Sequence, residues 1–161
     1  GVMAGEHIVS LLGGKGKVVE LEGIAGTSAA RDRGQGFNDA IAGTEIEVVA
    51  KQVADFDRTQ GLSVMENILQ AQPEIDAVFA HNDEMALGAQ KAIEASGREI
   101  IIVGFDATDD AVAAVKEGKM SATVAQQPSL IGELGVETAK KILDGESVED
   151  FVPVDLQLVT E

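Results

Sequence analysis

Ala77-Val78-Phe79-Ala80-His81-Asn82-Asp83 carries the pattern on which the fold turns. Its first four residues are all apolar, too few for a helix, and read as a short strand buried on both faces. Asp83 then opens a helical pattern that runs to about Ser96 and stops at Gly97, a residue suited to ending a helix. Ile100-Ile101-Ile102-Val103 follows as a second fully apolar, β-branched strand. Two buried strands joined through a helix make a parallel pair, because parallel neighbours need a crossover.

The same alternation extends outward in both directions. Upstream, Lys17-Val18-Val19-Glu20-Leu21 and Glu45-Ile46-Glu47-Val48-Val49-Ala50 read as strands. Ala29 to Ala42 reads as the helix between them and Arg58 to Ala71 as the helix leading to Ala77, the latter with Leu62, Met65, Ile68 and Leu69 on one face and closed by Pro73. Downstream, Asp109 is expected to cap a helix reaching about Glu117, Ser121 to Ala125 forms a strand, Ser129 to Leu143 a helix, and Val152 to Val159 a last extended segment. The predicted class is α/β: a three-layer α/β/α lobe with a mainly parallel sheet. Asp144 to Asp150 is the one polar shift in composition. Ala4, Ile8, Leu11 and Leu12 lie on one helix face at the very start of the chain. An α/β domain usually opens with a strand, so further sequence is expected to precede Gly1.

Composition narrows the function classes. The 161 residues suit one ordinary domain, and the 45% hydrophobic content can build a real core. Aromatics are 3%, with no Trp or Tyr, which counts against a surface that stacks nucleic-acid bases. Lys and Arg total 12 against 28 Asp and Glu, a net charge of −16. Phosphate backbones and anionic lipid repel such a chain, so neither nucleic acid nor a membrane surface is an expected partner. The absence of cysteine excludes disulfides, thiolate metal sites and cysteine nucleophiles.

In open α/β sheets, ligands bind beyond the carboxyl ends of the strands. Five loops qualify here: Gly23-Ile24-Ala25-Gly26-Thr27-Ser28 leading into Arg31, Asp32 and Arg33; Ala54-Asp55-Phe56-Asp57; His81-Asn82-Asp83; Gly104-Phe105-Asp106; and Gln126-Gln127-Pro128. Together they offer cationic donors, carboxylate acceptors and amides that do both, with Phe56 as an apolar plate. A monosaccharide needs that mixture, since its hydroxyls donate and accept while its C–H faces are apolar. Taken singly, each residue has a plainer role: a core place for Phe56, caps for Asn82-Asp83 and Asp106, an intrahelical ion pair for Arg33, a loop place for Gln126. Their shared edge favours a ligand site.

Other chemistries fit worse. Gly13-Gly14-Lys15-Gly16-Lys17 precedes its strand and lacks the Walker spacing, so it reads as a tight turn. Gly34 and Gly36 fall inside a helix and make no dinucleotide fingerprint. His7 and His81 have no nucleophile-elbow serine, and two histidines without cysteine do not make a zinc site. Asp106, Asp109 and Asp110 could imitate a magnesium site, but capping explains the last two more simply. No catalytic residue, metal or cofactor is expected.

Gly23 to Gly34, Ala54-Asp55-Phe56-Asp57-Arg58, Asn82-Asp83-Glu84-Met85-Ala86-Leu87-Gly88-Ala89, Val103-Gly104-Phe105-Asp106 and Ala125-Gln126-Gln127-Pro128 closely resemble the D-ribose-binding type of periplasmic sugar-binding protein from bacterial ABC transporters. The resemblance runs over nearly the whole chain. It implies a type I periplasmic binding fold of two hinged lobes enclosing a sugar. Arg33, Asn82, Asp106 and Gln126 would bond hydroxyls, and Phe56 would lie against the ring. It also implies an ABC permease as partner, an extracytoplasmic location and no enzymatic activity. On this reading residues 1–127 form the C-terminal lobe, 128–150 belong to an N-terminal lobe missing from this chain, and 151–161 return. The helix bearing Ile131, Leu134, Val136 and Ile142 would then be exposed and prone to self-association. The effector domain of a LacI-type regulator shares the Asn-Asp-Glu-Met-Ala and Val-Gly-Phe-Asp segments and is the alternative implied. What precedes Gly1 distinguishes the two.

Overall fold

The computed structural model describes all of residues 1–161. Its elements run α1 (Val2–Leu12), β1 (Lys15–Glu22), α2 (Ser28–Ile41), β2 (Glu45–Val53), α3 (Arg58–Ala71), β3 (Ala77–Ala80), α4 (Asp83–Ser96), β4 (Ile101–Phe105), α5 (Asp109–Lys116), β5 (Ala122–Ala125), α6 (Pro128–Leu143) and β6 (Gln157–Val159). The six strands form one sheet in the order β2-β1-β3-β4-β5-β6. β1 to β5 are parallel and β6 closes the far edge antiparallel to β5. The register of β1 against β2 slips between Val18 and Val19.

Strand alternation sorts the apolar residues onto two faces. Val19, Leu21, Val78, Ala80 and Ile102 join Met65 and Ile68 of α3, Met85 and Ala89 of α4, and Ala111 and Val115 of α5 in one core. Val18, Ala77, Phe79, Val103, Phe105 and Val124 join Ala4 and Ile8 of α1 with Phe37 and Ile41 of α2 in the other. The expected three-layer α/β/α arrangement is therefore present. The all-apolar β3 has both faces covered because helices lie on each side of it.

Four helices begin at the carboxyl edge with a side-chain cap. Thr27, Asp57, Asn82 and Thr108 accept from the backbone N–H groups of Ala30, Gln60, Met85 and Ala111. Asp109 is thus the first residue of α5 and not its cap. Gly13 and Gly97 end α1 and α4 in the left-handed conformation. Regular strand pairing in the C-terminal segment is confined to Gln157–Val159, shorter than the extended stretch expected from Val152. α6 has no buried residue: Val136 is 73% exposed and Leu143 86%, and Phe151 beyond it is 77% exposed.

Candidate sugar-binding edge

Asp106 follows β4, Arg33 lies on the second turn of α2 and Gln126 follows β5, so three separate elements deliver them to one edge. The Nη2 of Arg33 donates to Asp106 Oδ1 at 3.0 Å, and the Nε2 of Gln126 donates to the same oxygen at 2.9 Å. Arg33 Nη1 donates to the backbone carbonyl of His81. The intrahelical pairing open to Arg33 is not used; its partners lie just beyond the ends of β3 and β4.

Two rings flank the guanidinium. Phe105 packs with its centroid 3.8 Å from Arg33 Cζ, and the Phe56 centroid lies 5.8 Å away. Both distances lie within reach of a cation–π attraction. Phe105 was absent from the expected site. The signal available was its place beside Asp106 in Val103-Gly104-Phe105-Asp106, but an apolar residue ending an apolar strand reads first as core, and Phe105 is indeed buried. Phe56 sits across the start of the β1–α2 loop: a Cβ on Gly23 would fall 2.0 Å from its ring.

Asn82 stands at the same edge with both ends of its amide engaged within the protein. Its Oδ1 accepts from Met85 N–H at 3.0 Å, and its Nδ2 donates to the Phe56 carbonyl at 3.2 Å. It therefore caps α4 and holds the Phe56 loop. Asp83 is fully buried and braces the Asp106 loop, accepting from Thr108 N–H at 2.8 Å and Thr123 Oγ1 at 2.7 Å. Thr123 Oγ1 in turn accepts from Ala107 N–H. A Cβ on Gly104 would fall 2.2 Å from Asp83 Oδ1, so only glycine lets that carboxylate lie over β4. Burial pushes the Asp83 carboxyl up to about 6, against the hydrogen bonds from Thr123 and Thr108, and the nearby Asp106 carboxylate adds to the rise.

A second buried polar group lies beneath. The Nδ1 of His81 accepts from Gly23 N–H at 3.3 Å, which places the proton on Nε2, 3.0 Å from Glu20 Oε1. Asn38 and Lys51 also reach Glu20. Burial alone would raise the Glu20 carboxyl; the bonds from His81 and Asn38 and the charge of Lys51 outweigh it and hold it below the ordinary range.

Backbone geometry singles out the same loops. Asp55, Phe56, Asp106 and Ala107 are the non-glycine residues with positive φ, at 52°, 59°, 113° and 52°. Such conformations cost of order 1–3 kcal/mol each and persist where the surroundings impose them, often at ligand sites. Arg33, Phe105 and Gln126 also line a cavity of about 570 Å³, shared with Phe151, Val152 and Leu156 of the C-terminal segment. Roomier depressions lie at the opposite end of the sheet, around Asp76, Arg98 and Glu99. They lie away from the strand carboxyl ends and share no residue with this cluster.

The edge can thus hold donors and an acceptor beside apolar rings. The profile of the periplasmic binding protein domain matches residues 1–147. Among curated proteins, the ribose import binding protein RbsB of Haemophilus influenzae is 59% identical over 161 residues, all of this chain and 55% of that protein. An ABC transporter solute-binding protein from Actinobacillus succinogenes, solved with bound D-allose, superposes with a TM-score of 0.94 at 34% identity, over 99% of this chain and 57% of that one. A solute-binding protein from Bacillus halodurans with bound myo-inositol gives a TM-score of 0.91 at 40% identity, over 99% and 56%. The chain spans about half the length of the curated relatives it matches.

Proposed function

This chain belongs to the periplasmic binding protein domain family, and on that premise we propose that it forms one wall of a monosaccharide site in the substrate-binding component of an ABC importer, with D-ribose as the preferred ligand. The observation that carries the reading is the convergence of Arg33 and Gln126 on a single oxygen of Asp106. That arrangement leaves Asp106 Oδ2 without an intramolecular partner, so a carboxylate acceptor stands beside guanidinium donors. An acceptor and a donor side by side complement neighbouring sugar hydroxyls, and charge on the protein partner strengthens each bond. Phe56 supplies an apolar surface for the ring C–H groups. Asn82 contributes chiefly by holding the Phe56 loop. The kinship to RbsB favours ribose over the allose and inositol of the more distant solved relatives.

Residues 1–127 and 151–161 form this wall, and 128–150 pack with a facing lobe. A sugar touching both lobes only when they meet would stabilise the closed form, which the permease then recognises outside the cytoplasm. The chemistry is binding, with no bond made or broken.

Alone, the wall holds half of the contacts, so its affinity for ribose is expected near or above about 1 mM, equivalent to about −4 kcal/mol. Two-dimensional amide NMR during titration with D-ribose, D-allose and myo-inositol tests this. Shifts should centre on Gly23, Arg33, Asp106 and Gln126 and be largest for ribose. Shifts confined to the opposite end of the sheet, or none, overturn the reading. Micromolar affinity by calorimetry would refute the need for a second wall.

A further inference from the structure

We infer that His81 is a positioning residue for the binding edge, tying the arginine that meets the ligand to the seat of the aromatic plate through a buried bond to Glu20. The inference rests on the reading of this edge as a sugar-binding wall. Three groups of one residue face three parts of the site. The His81 carbonyl accepts from Arg33 Nη1, Nδ1 accepts from the N–H of Gly23, and Nε2 donates to Glu20. Gly23 is the residue on which the Phe56 ring rests. Moving His81 would therefore shift Arg33 and Phe56 together.

Packing alone does not account for this pair. Glu20 and His81 are both fully buried, on adjacent strands β1 and at the end of β3. A buried ionic or polar pair brings little net stability over apolar residues of similar volume, because desolvation offsets its attraction. What such a pair does supply is direction. Glu20 is itself aimed by Asn38 of α2 and Lys51 of β2, so the imidazole orientation is referred to three elements. Phe79, stacked on Phe37 and tilted against His81 at 5.4 Å, limits the ring from the core side.

The test compares His81→Gln with the double variant Glu20→Leu/His81→Leu. Glutamine can still donate to Glu20 and accept from Gly23. In the double variant Asn38 keeps the Gly34 carbonyl and Lys51 keeps Glu22, so the one bond lost besides the pair is that from Gly23 N–H, which belongs to the tie being tested. The first readout needs no sugar. Arg33 guanidinium protons should give separate, slowly exchanging NMR signals in the wild type and in His81→Gln, and should merge in the double variant. The second readout is the ribose titration: His81→Gln should bind within about twofold of wild type. The double variant should bind about tenfold more weakly, equivalent to about 1.4 kcal/mol. Ile93→Val, a change in the other core at the opposite end of the sheet, serves as the control for lowered stability and should leave both readouts unchanged. An ordered Arg33 in the double variant, or ribose affinity equal to wild type, overturns the role of His81 while leaving the sugar reading intact. A wild type that ignores ribose, with Arg33 order still lost in the double variant, upholds the positioning of Arg33 and sinks the sugar reading alone.

Discussion

Arg33 and Asp106 meet through one oxygen, Nη2 to Oδ1 at 3.0 Å, across the space between α2 and the end of β4. The contact is single-pronged, and Gln126 takes the second position on the same oxygen. Asparagine is the informative replacement for Asp106, because its φ of 113° disfavours alanine and asparagine tolerates positive φ better. Asp106→Asn should remove a charge-assisted bond to the sugar, worth about 1.5–3 kcal/mol, or roughly ten- to a hundredfold in affinity. Ribose-induced amide shifts that titrate as in the wild type would exclude Asp106 from the site.

Asp83 makes stability depend on pH in a defined direction. Its folded-state carboxyl titrates near 6, above its ordinary 3.8, so the folded protein holds this proton more tightly than the unfolded chain. The contribution is fully favourable below about 4 and is lost as pH rises through 6, by up to roughly 3 kcal/mol. Asp83→Asn removes the titration and can keep both bonds by accepting from Thr108 N–H and donating to Thr123 Oγ1. Relative to wild type, the variant should therefore gain stability between pH 4 and pH 7, as read from urea unfolding at the two values. A constant difference across that range would show that Asp83 does not carry the effect.

Gly23 and Phe56 should be energetically coupled. Gly23→Ala places a methyl 2.0 Å from the Phe56 ring, an overpacking expected to destabilise by about 1–3 kcal/mol. In a Phe56→Ala background the same substitution should cost under about 0.5 kcal/mol, because the clash has gone. Equal costs in both backgrounds would mean that the ring does not rest on Gly23.

The exposed face of α6 should govern association more than stability. Replacing Ile131, Val136 and Ile142 with lysine should convert a concentration-dependent assembly into a monomer by sedimentation velocity. The unfolding midpoint should barely move, since exposed substitutions usually fall within about 0.5 kcal/mol. Amides of α6 should also exchange faster than those of α4, which has nine buried residues. A wild-type chain that sediments as a monomer at high concentration would refute the association.

Much of the fold was legible because its signals are local. Ala77–Ala80, Asp83–Ser96 and Arg58–Ala71 are bounded by their own apolar periods and stop residues, and those spans match the structure. The loops were legible through the strand-end rule, which needs only the order of strands. What could not be read is which side chains satisfy each other across the sheet. Nothing adjacent in sequence reports that Asn82 spends its amide on Met85 and Phe56, or that Phe105 backs Arg33. The cap of α5 fell on Thr108, whose extended backbone lets its side chain accept from Ala111 N–H, and not on the neighbouring Asp109; both are good capping types, so residue type does not announce the choice.

The register slip between Val18 and Val19 also bears on how this chain behaves in company. It interrupts the ladder beside β2, an edge strand of nine residues carrying Glu45, Glu47 and Lys51. An interrupted, charged edge is a poor template for another strand. That flank of the sheet therefore disfavours fibre-like growth, so association between copies is expected through the exposed side chains of α6 rather than by strand addition at β2.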